Sequence, residues 1–361
     1  MNHDQILAAG TSIWLDDLSR AKLSGDDRLS LAHRIAHDGV RGVTTNPSIF
    51  AAAITGSADY AADIAAFDGA NVDALVQKLT TDDVRIACDL FLDLYRSSNG
   101  IDGRVSIEVD PRLARDTAAT INEGAALFSM VDRPNVMIKV PATLEGLPAI
   151  TALIGQGISV NVTLIFSVKR YAEVIDAFIK GIEIAESQGR DLSTIHSVAS
   201  FFISRIDSAV DKELKAIGNT SLMGKIALAN AHVAYALFQE RFQSEKWIAL
   251  QKAGAHVQRP LWASTGVKDP AYPDTLYVDQ LIAAHTVNTM PPTTLDAVLD
   301  HSTINGDSIS PQIANSKKHI RDLEETGISL AAITKFLEED GVKKFAQSWI
   351  DLLDSVKKEM K

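Results

Sequence analysis

The chain has 361 residues, 46% of them hydrophobic, enough for one extended α/β barrel with a large core. Its net charge is −11 with no basic run, which argues against nucleic acid and anionic membranes as partners. A single cysteine, Cys88, allows no intrachain disulfide and suits a reducing cytoplasm, and no apolar run reaches the roughly 20 residues of a membrane helix.

The N-terminus, Met1-Asn-His-Asp-Gln, is polar and lacks a signal-peptide pattern, and residues 3–9 predict a short helix. Ser12-Ile-Trp-Leu-Asp16 is an apolar strand ending in a carboxylate. After a short helical stretch, Gly42-Val-Thr-Thr-Asn-Pro-Ser48 is a second strand that runs into a polar turn. Residues 50–97 carry helical patterning in two or more pieces, with Cys88 in the helix core. Arg104-Val-Ser-Ile-Glu-Val-Asp110 is a third strand, and 111–131 is helical. Asn135-Val-Met-Ile-Lys-Val-Pro-Ala-Thr143 is the fourth strand, ended by Pro141, which cannot donate to a sheet ladder. Helix 144–155 follows.

Ile158 to Phe166 is the fifth strand, with Asn161 and Thr163 on one face by the two-residue period. Helix 168–188 leads to a sixth strand, Ile195 to Ser200, then Phe-Phe-Ile-Ser-Arg205. Residues 206–253 are mainly helical, Leu261 to Thr265 is a seventh strand, and Ile282 to Asn288 is a weaker eighth. His196 and His285 read as satisfied core histidines. From 294 onward the pattern is helical, with an amphipathic tail at 330–359.

Eight strands alternating with helices predict an α/β fold with a parallel sheet. Asp16, Thr44, Asn46, Glu108, Lys139, Thr163, Ser200 and Ser264 fall at or near the C-terminal ends of their strands, which share one rim in a (β/α)₈ TIM barrel. A doubly wound open sheet would call for a glycine-rich loop after the first strand, and Asp16-Asp-Leu-Ser-Arg is not one. The expected architecture is a single barrel domain, 1–361, with extra N-terminal and C-terminal helices; the extension 294–361 packs on the barrel.

Lys139 is the most informative residue. An ammonium among Met137, Ile138 and Val140 is costly to bury, which favours its neutral, nucleophilic form. A lysine amine of this kind forms Schiff bases with carbonyl substrates. The competing reading is a lysine that snorkels to water from an edge strand. Taken singly, Glu108 is equally a solvated strand residue, Asn46-Pro47 an ordinary turn, Asp16 a helix cap, and Arg205 a commonplace helix arginine. One lysine, two carboxylates and several hydroxyls and amides on one rim suit carbon–carbon chemistry through an imine. No Cys/His cluster or nucleotide loop is present, so neither a metal nor a nucleotide is indicated.

Thr44-Thr-Asn-Pro-Ser48, Ser106-Ile-Glu-Val-Asp110, Ile138 to Thr143 and Asn161 to Ser167 resemble the transaldolase family in order and spacing. Phe202-Ile-Ser-Arg205 and Trp262-Ala-Ser264 continue the resemblance, which covers roughly residues 10–290. By that resemblance, Lys139 is the Schiff-base lysine and Asp16, rather than its neighbour Asp17, the acid/base for C3–C4 cleavage. Glu108 and Thr163 hold the water used in forming and dehydrating the carbinolamine. Asn46, Asn161 and Ser200 hold the dihydroxyacetone unit, Thr44 orients Asp16, and Arg205 and Ser264 bind phosphate. The family's second phosphate arginine has no match in Ser264-Thr-Gly-Val-Lys268, where Lys268 is the possible substitute, without the bidentate fork.

The resemblance implies transfer of a dihydroxyacetone unit from sedoheptulose 7-phosphate to glyceraldehyde 3-phosphate in the pentose phosphate pathway. The expected enzyme is cytoplasmic, cofactor-free, and a monomer or homodimer. The alternatives are a fructose-6-phosphate aldolase, which releases free dihydroxyacetone, and a non-catalytic phosphosugar-binding barrel. Those aldolases carry glutamine and tyrosine where this chain places Glu108 and Phe202.

Overall fold

The computed structural model describes residues 1–360. Its strands are β1 (Thr11–Asp16), β2 (Val40–Thr44), β3 (Arg104–Glu108), β4 (Val136–Pro141), β5 (Val160–Ile165), β6 (Ser197–Phe202), β7 (Gln258–Ala263) and β8 (Thr286–Met290). They pair in sequence order, all parallel, and β1 pairs with β8 to close the barrel. Almost every strand residue is buried, as it must be where helices cover the outside and side chains fill the inside. This is the (β/α)₈ barrel expected from the alternating pattern.

The register builds the site. Glu108 lies beside Lys139, and Lys139 beside Asn161, across β3, β4 and β5. Adjacent residues of parallel strands point to the same face, so a carboxylate, an amine and an amide share one tier of the interior. Asp16 and Thr44 are paired in the same way across β1 and β2. After Thr163 the β5 ladder shifts, and Leu164 takes a left-handed conformation at φ 59°. A buried leucine there is strained and is held by its surroundings.

The weakest strand boundaries moved. β7 begins at Gln258 rather than Leu261, because both polar side chains find buried acceptors: Gln258 Nε2 donates to Ser197 Oγ and Arg259 Nη2 to the Thr286 carbonyl. β8 runs from Thr286 to Met290 rather than 282–288, since His285 at φ 60° interrupts the extended chain. His285 is also exposed, not a core histidine, whereas His196 is buried and bonded to the Ser193 carbonyl. β3 stops at Glu108 because Asp110 and Pro111 start a 3₁₀ turn, with Asp110 accepting from the Arg112 amide.

The chain ends in a 30-residue helix, Leu330–Glu359, capped by Ser329. It packs on helix Pro47–Ile54, helix Val72–Leu90, helix Ser204–Ala216 and β5, so it lies over the C-terminal side of the barrel. Gly341 permits the close approach: a Cβ there would stand 3.0 Å from Leu164 Cδ2. No helix among the described residues is long and apolar enough to cross a membrane.

Candidate active site

Lys139, 5% exposed, sits inside the barrel near the C-terminal end of β4. Its Nζ donates to the Thr45 carbonyl at 2.6 Å and to Glu108 Oε2 at 3.2 Å. The strand alone predicted only desolvation around this amine; the fold adds two acceptors. The Phe345 ring of the C-terminal helix lies 5.9 Å from Nζ. That aromatic face covers the amine and keeps the surroundings dry.

Burial pushes the Glu108 carboxyl above its ordinary range; Lys139 pulls the other way, and Asp16 adds to the rise. Glu108 Oε1 and Thr163 Oγ1 are buried and have no hydrogen-bond partner among the described residues. Such groups are costly unless something polar meets them. Asp16 accepts from Thr44 Oγ1 at 2.6 Å. Burial raises the Asp16 carboxyl, opposed first by the Thr44 bond and then by the charges of Lys139 and Lys268. Asp17 pairs instead with Lys22.

Asn161 is held at both ends, accepting from Ser200 Oγ at 2.7 Å and donating to Ser106 Oγ at 3.1 Å. Asn46 caps helix Pro47–Ile54 by accepting from the Ile49 amide, as its turn reading predicted. Its Nδ2 donates to no group among the described residues. Ser264, at φ 57°, shares a 2.9 Å hydrogen bond with Ser204. Arg205 stacks over the Phe202 ring at 5.6 Å, and Phe202 packs on Phe166. Burial lowers the Arg205 pKa, opposed by the charge of Asp340 on the C-terminal helix, and Arg205 Nη1 has no partner among the described residues. A partly buried guanidinium with an unused donor is suited to a phosphate. Lys268 is exposed, and its Nζ lies 3.8 Å from where a Gly266 Cβ would stand.

Together these residues set a buried amine near two carboxylates, with a polar floor and a cationic edge. The model of the transaldolase/fructose-6-phosphate aldolase family matches residues 13–356. The chain belongs to that family. It is 53% identical to a transaldolase of Thermobifida fusca, over 99% of this chain and 97% of that protein. Transaldolase 1 of Streptomyces avermitilis is 55% identical over 98% and 94% of the two chains, and a transaldolase of Mycolicibacterium smegmatis 53% over 96% and 94%.

Several contributors were missed from the sequence. The Thr45 carbonyl is a backbone group and leaves no mark in side-chain pattern. Ser106 did carry a signal, because the two-residue period puts it on the face of Glu108. Thr289, which shares a 2.7 Å hydrogen bond with Thr44, lay one residue past the predicted eighth strand. Phe345 and Asp340 lie in an amphipathic helix far along the chain, where nothing local points to the barrel mouth.

Proposed function

We propose that this chain is a transaldolase in which Lys139 carries the dihydroxyacetone unit. The Lys139 nitrogen adds to the ketone carbon of sedoheptulose 7-phosphate, and loss of water from the carbinolamine gives an imine. Glu108 and Thr163 hold the water that relays those protons; their two unpartnered oxygens support that role. Asp16 takes the C4 hydroxyl proton, the C3–C4 bond breaks, and its electron pair moves into the protonated imine. Erythrose 4-phosphate leaves, and an enamine remains on Lys139. The enamine then attacks the carbonyl carbon of glyceraldehyde 3-phosphate, Asp16 returns the proton, and hydrolysis frees fructose 6-phosphate. The imine is the electron sink, so the chemistry asks for no cofactor. Asn46, Asn161 and Ser200 hold the hydroxyls of the transferred unit, while Arg205 and Ser264, helped by Lys268, take the phosphate. A cytoplasmic location, as monomer or homodimer, goes with this activity.

The observation that carries the proposal is the buried Lys139–Glu108 pair, in a chain alike to transaldolases over nearly its whole length. Phe202 favours transfer over aldolase chemistry. A phenyl ring packed on Phe166 and under Arg205 neither protonates an enamine nor positions a water. The test is a product assay with fructose 6-phosphate and erythrose 4-phosphate, beside borohydride trapping. Sedoheptulose 7-phosphate should form, and borohydride should add the reduced donor unit at Lys139 in wild type but not in Lys139→Ala. Free dihydroxyacetone as the main product would make the chain an aldolase; absence of trapped adduct would leave only a binding role.

A further inference from the structure

The N-terminal end of the barrel, opposite the rim that holds Lys139, carries a second cluster of charge. Arg104 opens β3 and Arg259 is the second residue of β7; they are 1% and 9% exposed. With Trp14, Met137, His196 and His256 they line a cavity of about 150 Å³. At roughly 30 Å³ per water, that is room for about five water-sized groups, so a tetrahedral oxyanion fits with space beside it.

The charges in this cavity do not balance. Arg259 is matched: its Nη1 lies 3.2 Å from Asp102 Oδ1, and its Nη2 donates to Ser12 Oγ and the Thr286 carbonyl, each at 2.6 Å. Arg104 has no carboxylate within ion-pair distance among the described residues. Its Nε donates to the Gly100 carbonyl at 2.7 Å, and its Nη1 reaches the Pro134 carbonyl and Ser159 Oγ at 3.3 and 3.4 Å. Its guanidinium lies over the Tyr95 ring at 4.8 Å. Arg104 Nη2 and Arg259 Nε are buried without a partner among the described residues. A buried guanidinium lacking an anion is costly, and its fork matches phosphate or carboxylate oxygens.

The histidines add no compensating charge. His196 stacks on His256 with ring centroids 4.3 Å apart. Burial, then Arg104 and His256, push His196 down to about 2; burial and Arg104 also lower His256. At the mouth, partial desolvation and the charge of Arg259 lower the exposed His285. All three imidazoles are therefore neutral near pH 7, each with one N–H donor and one acceptor. Gly100, at φ 76°, keeps the cluster together: a Cβ there would lie 2.9 Å from His196 Nε2 and 3.1 Å from Arg104 Nη2.

We propose that this cavity binds a phosphate-sized oxyanion, free or as the end group of a small monoester, at a site separate from the catalytic rim. The guanidinium of Arg104 supplies the unmatched charge, Arg259 Nε a further free donor, and Trp14 and Met137 offer an apolar wall to any attached body.

The test starts with wild-type crystals soaked in arsenate and measured at the arsenic absorption edge. An anomalous peak is expected between Arg104 and Arg259; peaks confined to the rim beside Arg205 would overturn the proposal. In solution, Arg205→Ala weakens phosphate binding at the rim, so calorimetry on that variant reads the second site. Inorganic phosphate should bind with one-to-one stoichiometry, and Arg104→Met on the same background should abolish the signal. Because Arg104→Met alters a buried residue and can fail to fold, Gln251→Glu is the second variant. Gln251 is exposed and lines the cavity. The added negative charge should weaken phosphate binding by roughly fivefold, as expected for a unit charge several ångströms away in a half-wet medium. Unchanged affinity in Gln251→Glu, or no saturable binding in Arg205→Ala, would sink the idea. Tighter binding of glycerol 3-phosphate than of inorganic phosphate would identify the ligand as a monoester, and equal binding as free phosphate.

Discussion

Thr44→Val tests the proposed work of Asp16 with little change of shape. Thr44 is 2% exposed and donates its only hydroxyl proton to Asp16 Oδ1 at 2.6 Å. That bond favours the ionised carboxylate, which must be ionised to take the C4 hydroxyl proton. A hydrogen bond to a charged group contributes about 1.5–3 kcal/mol to the ionised form, so its loss raises the Asp16 pKa further. The sign follows. With a higher pKa, less of the enzyme is ionised at a given acidic pH, so the acid limb of kcat/KM against pH moves upward, and at a fixed pH on that limb activity falls by about 10- to 150-fold. Above that limb the variant should recover most of its activity. Valine also leaves the Thr289 hydroxyl without its acceptor, at a cost of about 1–3 kcal/mol in stability, which a denaturant titration measures separately. An acid limb that stays in place or moves down would refute either the base role of Asp16 or the strength of its bond to Thr44.

Arg205→Ala should raise KM for phosphorylated substrates by about 10- to 150-fold, the equivalent of about 1.5–3 kcal/mol, and Lys268→Ala by less, because Lys268 is exposed; an effect from Arg205 alone would show that Lys268 does not replace the missing arginine. Phe202→Tyr and Glu108→Gln should each raise release of free dihydroxyacetone and lower transfer, measured by product ratio with and without acceptor; unchanged ratios would separate Phe202 from the choice of reaction. Glu123 tests stability instead. Burial and the charge of Asp110 push its carboxyl from 4.5 up to about 7, so the stability it contributes is full below about 4.5 and lost as pH rises through 7. At 1.36 kcal/mol per unit this amounts to at most about 3.4 kcal/mol. Glu123→Gln should therefore be more stable than wild type at pH 8 and nearly equal at pH 4; equal stability at both would remove the shift.

The sequence by itself determined the barrel, because its signals are local. Each strand is a short apolar run bounded by turn residues, and each carries its polar side chain where the run ends. Parallel pairing then forces those ends onto one rim, so Lys139, Glu108, Asp16 and Thr163 could be grouped from the sequence. The long helix at 330–359 was legible from its amphipathic period, but what its apolar face covers was not. Tertiary structure decided that Phe345 lies over Lys139 and Asp340 beside Arg205, since those contacts join segments more than a hundred residues apart. It decided the Thr45 carbonyl as the acceptor for Lys139, because every residue carries a carbonyl and only packing selects one. It also decided the limits of β7, where Gln258 and Arg259 find buried partners that a hydropathy pattern cannot foresee, and of β8, where His285 turns to a positive φ. The Arg104 cluster shows the same division: its residues lie at the starts of distant strands, and only closure of the barrel brings their charges together.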